Sequence, residues 1–471
     1  MKKRLLILLI ACGLILSVLP GCSKTESESE KTGETTKVQV ESTETQIIST
    51  AKQETDSSAQ PETKEKSDEK FDASLKGEIT HWVWGDYEEK GASEFNNYYP
   101  DIKVNYVVFP SEDYITKFQT TLAGGGDLPD VFNADVEARP LLFEEDIWEV
   151  FDDEPYNIDL SQLIDFSIPL LQNQKGQTVC VQIDNCVGGY AYKRDLAKEY
   201  FGTDDPEELE AIFQTPEDYI KMAKEVNEKS GGEVFLFGAM DDIFRSFSSL
   251  GKSSAQPLVI GDKLNIREAY KDCFDVMAKM VENNGIGPYV GWTPAWQSSF
   301  ASGEVIFFPG PTWFLTWVIQ PNDPEGAGNY GVIDPPGGSF SWGGTGYCIP
   351  RDSKNKDLAW AYISWLTMSQ EGSESFFKAQ ATPTLFKPSY ETDLYIGNND
   401  PYYNGQDIIE KFIKISQNPE TIVRSATKYD GSIIGSIGPV FIEMRDNQLS
   451  AADAMDMFED ECLKNISELT K

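Results

Sequence analysis

The sequence predicts an α/β fold of two domains, on three observations. Strand and helix patterns alternate from residue 77 onward. The stretch able to fold, 71–471, is about four hundred residues long, more than one hydrophobic core usually supports. Aromatic residues make up 12% of the chain and include ten Trp, enough for a large core with rings to spare. Residues 77–84 (GEITHWVW) read as a strand, 87–99 as a helix and 102–109 (IKVNYVVF) as a second strand. Residues 112–123 follow as a helix stopped by Gly124-Gly125-Gly126, and 129–133 (PDVFN) as a short apolar strand. This βαβαβ order implies a parallel sheet with helices on its faces. In such sheets ligands sit beyond the carboxyl ends of the strands, which directs attention to Trp84, Asp86, Tyr87 and Asp135.

The pattern continues through the rest of the chain. Residues 180–183 form a strand signal, and Thr215-Pro216-Glu217-Asp218 opens a helix, with Thr215 suited to cap it and Pro216 to its first turn. Residues 234–237 are a hydrophobic run. Residues 301–317 (ASGEVIFFPGPTWFLTW) combine a glycine turn, a buried strand, a Pro/Gly break and a helix start. Residues 357–366 present Leu358, Ala361 and Trp365 at helical spacing. A final helix over 450–469 carries Ala454, Met457 and Cys462 inward. No internal repeat is visible.

The amino terminus reads as an address. Lys2, Lys3 and Arg4 precede an apolar run, 5–19, of signal-peptide length. The run ends in Leu19-Pro20-Gly21-Cys22, which resembles the lipobox of bacterial lipoproteins. That resemblance implies removal of residues 1–21, lipidation of Cys22 and anchorage on the outer face of the cell membrane, two acyl chains giving stable residence. Residues 23–69 contain no aromatic residue and consist largely of Ser, Thr, Glu, Lys and Gln. Such a composition cannot offset its chain entropy by burial, so residues 22–72 are expected to be a disordered tether with a reach of about 40 Å.

Composition excludes several classes of function. A net charge of −37 argues against nucleic acid, whose phosphates need a basic counter-surface. Beyond Cys12 and Cys22, the cysteines are Cys180, Cys186, Cys273, Cys348 and Cys462; an odd number at irregular spacing is not a disulfide framework. Most read as small buried hydrophobes, with a Cys180–Cys186 bridge as an alternative. The chain has one histidine, His81, and neither a Gly-x-Ser-x-Gly elbow nor a His-Glu-x-x-His helix. The Gly124 triplet has no following Gly-Lys-Ser/Thr and is a helix stop. Neither a metal nor a cofactor site is expected. Paired carboxylates suffice for a glycosidase, and 77 acidic residues leave a lipid-anchored carbohydrate hydrolase as the alternative to a binding protein, with a surface adhesin as a third reading.

Several blocks in order carry a family resemblance: Leu128-Pro129-Asp130-Val131 after the glycine-rich helix end, Tyr192-Lys193-Arg194-Asp195-Leu196, Phe300-Ala301-Ser302-Gly303-Glu304-Val305 leading to Gly310-Pro311-Thr312-Trp313, Gly343-Gly344-Thr345-Gly346-Tyr347, and Lys356-Asp357-Leu358-Ala359-Trp360. They resemble the landmarks of bacterial extracellular solute-binding proteins of the carbohydrate-binding, maltose-binding-protein-like class. The resemblance implies a two-lobed periplasmic-binding-protein-like body with a hinge and an interlobe ligand cleft. Lobe 1 is expected from 77–183 and 332–375, lobe 2 from 184–331 and 376–471. It also implies a monomer that delivers its ligand to an ABC permease in the membrane, and no catalysis.

The ligand-binding residues nominated by this resemblance are Trp84, Asp86, Asp135, Asn185, Asp241, Trp313 and Trp342. The hinge segment Ile183-Asp184-Asn185-Cys186 departs from the aromatic-containing segment of the maltose-binding type, so maltose itself is not implied. Chemistry supports a sugar independently, because its apolar C–H faces suit aromatic rings and its hydroxyls suit Asp and Asn acceptors. Among the other rings, Trp82, Trp148, Trp360 and Trp365 read as core and Trp317 as half core, while Trp292 and Trp296 fit either role. Each acid, taken singly, also fits a solvated loop residue or a helix cap.

Overall fold

The computed structural model describes residues 71–421 and 423–471. The signal segment, Cys22 and the tether up to residue 70 lie outside the described residues. Ten strands build two five-stranded sheets: β1 (Gly77–Val83), β2 (Ile102–Val108), β3 (Val131–Asp135), β4 (Val181–Gln182), β5 (Gly189–Lys193), β6 (Phe235–Ala239), β7 (Ile286–Tyr289), β8 (Val305–Gly310), β9 (Tyr330–Ile333) and β10 (Thr345–Cys348). The first sheet runs β2-β1-β3-β10-β4 and the second β9-β5-β8-β6-β7.

In the first sheet β1 pairs parallel with β2 and β3, while β10 is antiparallel to both β3 and β4. Burial follows position in the sheet. The edge strand β2 leaves Val107 and Val108 exposed, whereas Val131, Phe132 and Ala134 of the inner strand β3 are fully covered. In the second sheet β6 pairs parallel with β7 and β8, and β5 pairs antiparallel with β8 and β9. All six residues of β8 (VIFFPG) are buried, as expected of a central strand covered on both faces.

Local signals behave as their chemistry dictates. The helix Pro216–Ser230 starts with a reciprocal capping box: the Thr215 hydroxyl accepts from Asp218 N–H (3.3 Å), and the Asp218 carboxylate accepts from Thr215 N–H (2.8 Å). It stops at Gly231 in the left-handed region, φ 69°. The helix Ser111–Ala123 ends in the glycine run, where Gly125 adopts φ 63°. The stretch expected as one helix over 87–99 is instead a short helix, Tyr87–Gly91, and a separate 3-10 turn, Phe95–Asn97. Gly91 is costly inside a helix, and here it passes so close to the Phe376 ring that a Cβ would come within 2.6 Å of it. The last helix is Ala451–Asn465, capped by Ser450 and burying Ala454, Met455, Phe458 and Cys462. Met457 is half-buried against the same core.

The lobe boundaries differ from those expected. Val332 and Ile333, placed with lobe 1 by the sequence, end β9 in the second sheet, and Phe340 packs in the second core. The expected break between 375 and 376 falls inside the helix Gln370–Gln380, whose Phe376 belongs to the first core, as does Leu385. Hydrophobic patterning cannot separate these cases, because both cores demand the same apolar residues.

Three segments cross between the sheets. Residues 183–188 and 340–345 run antiparallel: Gly188 N–H donates to Phe340 O (2.8 Å), Trp342 N–H to Cys186 O (2.9 Å) and Ile183 N–H to Thr345 O (3.1 Å). The third crossing leaves the first body after residues 383–385, where Asn185 N–H donates to Pro383 O (2.7 Å) and Leu385 N–H to Ile183 O (2.9 Å). The crossing segments are thus hydrogen-bonded to one another as a single ribbon.

Candidate ligand-binding cleft

A cavity of about 470 Å³ opens between the two bodies. Glu137, Pro140 and Leu170 line it from the first, Ser341 and Gly343 from the crossing ribbon, and Asp241, Phe244, Arg245, Tyr270, Arg424 and Phe441 from the second. The volume falls within the range of small-molecule sites.

The helix Met240–Phe247 supplies the floor because it begins where β6 ends, at the carboxyl edge of the parallel strands. Its first turn carries Asp241 and Asp242. Asp242 turns inward, accepting from Ala239 N–H (3.0 Å) and Trp296 Nε1–H (3.5 Å), and burial followed by the neighbouring Asp241 charge pushes its pKa up to about 7. Asp241 turns toward the cavity and accepts from Gly291 N–H (3.2 Å). One turn later Arg245 lays its guanidinium 3.9 Å from the centre of the Trp342 ring, a cation–π distance. The same guanidinium stands 3.9 Å from the carboxylate of Glu137 on the opposite body. Burial lowers the Arg245 pKa, opposed by Glu137, Asp241 and Asp242.

Above this floor lies a cluster of indoles. The Trp313 and Trp342 ring centres are 4.9 Å apart at 67°, and Trp313 Nε1–H donates to Trp342 O (3.1 Å). Trp292 lies parallel to Trp313, 6.5 Å away at 11°, and edge-on to Trp342 at 5.8 Å. Trp292 is 54% exposed while holding the left-handed conformation, φ 65°, which is costly for a bulky residue and marks sites where the surroundings over-determine the backbone. Trp296, by contrast, is buried at 2% exposure. Gly343 reaches φ 82° beside this cluster, and a Cβ there would come within 3.3 Å of Trp313 Nε1. On the far wall Arg424 lies 4.7 Å over the Tyr270 ring and donates to its hydroxyl (2.8 Å), with Nη1 buried and lacking a partner.

The structure gathers three of the seven nominated residues: Asp241 lines the cavity, and Trp313 and Trp342 form the indole cluster beside it. Asp135 ends β3 and accepts from Glu137 N–H (2.9 Å), shaping the turn that presents Glu137; burial raises its pKa. Asn185 is buried in the crossing ribbon, donating to Tyr390 Oη (3.3 Å), a hinge position rather than a cavity wall. Trp84 packs edge-on against Tyr114 (5.1 Å, 86°) in the first body. Asp86 is an exposed partner of Lys90 (2.7 Å). Neither Trp84 nor Asp86 lines the cavity.

Glu137, Arg245, Tyr270 and Arg424 escaped the sequence reading. Only Arg245 left a readable signal, being four residues after Asp241 and hence on the same helix face. Trp82, Trp148 and Trp365 are buried, and Trp317, read as half core, is 58% exposed. Among the described residues no cluster suited to a metal ion occurs, and no helix is long and apolar enough to cross a membrane.

The sequence profile described as "Bacterial extracellular solute-binding protein" matches residues 90–401. The chain belongs to that family. Membership makes this solute-binding protein a binder rather than an enzyme. It is 29% identical over 181 residues to the melibiose/raffinose/stachyose-binding protein MelE of Bacillus subtilis (strain 168), a match spanning 37% of each chain. Its fold is similar to that of an extracellular solute-binding protein of family 1 (TM-score 0.73, 19% identity, covering 82% of this chain and 99% of the other). The sugar-binding protein MalE of Xanthomonas citri is also similar (TM-score 0.67, 17% identity, 83% and 98%). These likenesses establish the two-lobed α/β fold.

Proposed function

We propose that this solute-binding protein captures a neutral sugar or short oligosaccharide between its lobes, held on the membrane's outer face by lipid at Cys22, and delivers it to an ABC permease. The observation carrying this reading is the juxtaposition of the Trp292, Trp313 and Trp342 rings with Asp241 and Arg245 at the rim of the interlobe cavity. Aromatic faces suit the apolar side of a pyranose, and the charged groups suit its hydroxyls. The partial likeness to a melibiose/raffinose/stachyose-binding protein supports an α-galactoside as the first ligand to test. Closure follows from differential affinity: a sugar touching both walls stabilises the arrangement in which they meet. Thermal-shift and calorimetric titration against melibiose, raffinose, stachyose and a wider sugar panel test the reading. At least one sugar is expected to bind in the micromolar range without being hydrolysed; failure of every sugar in the panel, or turnover, overturns it.

A further inference from the structure

The strand pair β10–β4 sets two cysteines face to face. Gly346 lies opposite Gln182 and Tyr347 opposite Val181, so the next pair outward is Cys348 opposite Cys180. Ile183 N–H donates to Thr345 O (3.1 Å), which makes Thr345–Ile183 a hydrogen-bonded pair. Pairs of the two kinds alternate along an antiparallel ladder. Cys348–Cys180 is therefore a non-hydrogen-bonded pair, the kind whose Cα atoms approach to about 4.5 Å, inside the span a disulfide bridges. Both residues point to the same face and both are wholly buried. The other cysteines are placed differently: Cys186 directs its thiol to the Asp184 carboxylate (3.3 Å), and Cys273 lies against Met277 (3.6 Å) in the second core. The geometry does not favour the Cys180–Cys186 bridge that sequence proximity suggested.

We propose that Cys180 and Cys348 form a cross-strand disulfide in the exported protein. Extracellular proteins meet oxidising conditions in which such bonds persist. The oxidant required is a disulfide-bearing oxidoreductase or a small-molecule disulfide. One thiolate attacks the oxidant's disulfide and expels one thiol; the second thiolate attacks the resulting mixed disulfide and expels the other. Two protein thiols become one disulfide and one oxidant disulfide becomes two thiols, so electrons and hydrogens balance. Access needs only local opening, because β4 is a two-residue strand at the sheet edge. The bond fastens the edge of the first sheet just before the 183–188 crossing and just after the 340–345 crossing, so it anchors the ribbon without lining the cavity.

The test uses the exported protein recovered without reductant, denatured in the presence of a thiol-blocking reagent and digested for mass analysis. The Cys180 and Cys348 peptides are expected to appear joined and lighter by two hydrogen atoms than the separate pair, with Cys186, Cys273 and Cys462 blocked. Blocking of both Cys180 and Cys348, or joining of either to another cysteine, overturns the proposal. Reduction is expected to lower the Tm of the wild type by roughly 5 °C and to leave that of the Cys180→Ala/Cys348→Ala variant unchanged. An equal fall in both would also overturn it. Sugar affinity is not part of the readout, so failure here leaves the transport reading intact.

Discussion

At the scale of single residues, the cleft owes much of its character to one side chain in an unusual setting. Trp292 is exposed on a left-handed backbone, so its indole contributes little to the core while being held ready in one place. Trp292→Ala is expected to weaken sugar binding at least tenfold, about 1.4 kcal/mol, with a Tm within a few degrees of the parent; isothermal titration beside a melting curve checks both. Under the first sheet lies a different polar group. His81 Nε2 contacts Asn133 Oδ1 (2.6 Å), and Asn133 Nδ2–H donates to the Glu88 carboxylate. Burial depresses the His81 pKa to about 3 and raises that of Glu88 to about 8. The signs oppose. As pH falls from 6.5 to 3 the unfolded histidine binds a proton that the native one refuses, so stability drops. As pH rises from 4.5 to 8 the unfolded glutamate releases a proton that the native one keeps, so stability drops again. The two slopes cancel between 4.5 and 6.5, which predicts a plateau there. Glu88→Gln is expected to remove the alkaline decline, worth about 2 kcal/mol between pH 6.5 and 8; denaturant titrations at a series of pH values read it directly.

At the scale of elements, the crossing ribbon depends on glycines where side chains have no room. Gly344 adopts φ 130°, and a Cβ there would come within 2.5 Å of the Gln182 amide. That amide cannot yield, since Nε2–H donates to Asp184 O (2.7 Å) and Oε1 accepts from Arg139 Nη1–H (2.7 Å). Gly344→Ala is therefore expected to cost about 3 kcal/mol, seen as a lowered denaturant midpoint with an unchanged slope. Much at this scale was legible in the sequence. The βαβαβ start, the Thr215 cap and the buried strand over 305–310 follow from periodicity and local hydrogen bonding, which depend on near neighbours. Trp313 and Trp342 were legible through family blocks. Glu137 and Arg424 were not, because an acid and an arginine on loops acquire meaning only from what faces them across the cavity. Trp84 and Asp86 occupied the expected strand end, yet the ring found a partner in Tyr114 and the carboxylate one in Lys90.

At the scale of the whole molecule, Glu137 and Arg245 are the charged groups that face each other across the cleft at 3.9 Å. Closing on a sugar is expected to compact the protein, and small-angle scattering with and without ligand measures it; unchanged dimensions with bound sugar would contradict hinge closure. Glu137→Ala is expected to lower affinity severalfold without altering the melting of either body, as an ion pair at a partly solvated gap is worth at most about 1 kcal/mol. The order of the strands along the chain has a further consequence, for how the protein comes into being. The second sheet draws all its strands from residues 189–333, while the first waits for β10 at residues 345–348 to join β3 to β4. As the chain emerges from the ribosome or the export channel, the later lobe can therefore close its sheet first. The earlier lobe must remain open, with Phe132 and Ala134 lacking a strand neighbour on one side, until more than two hundred further residues have followed.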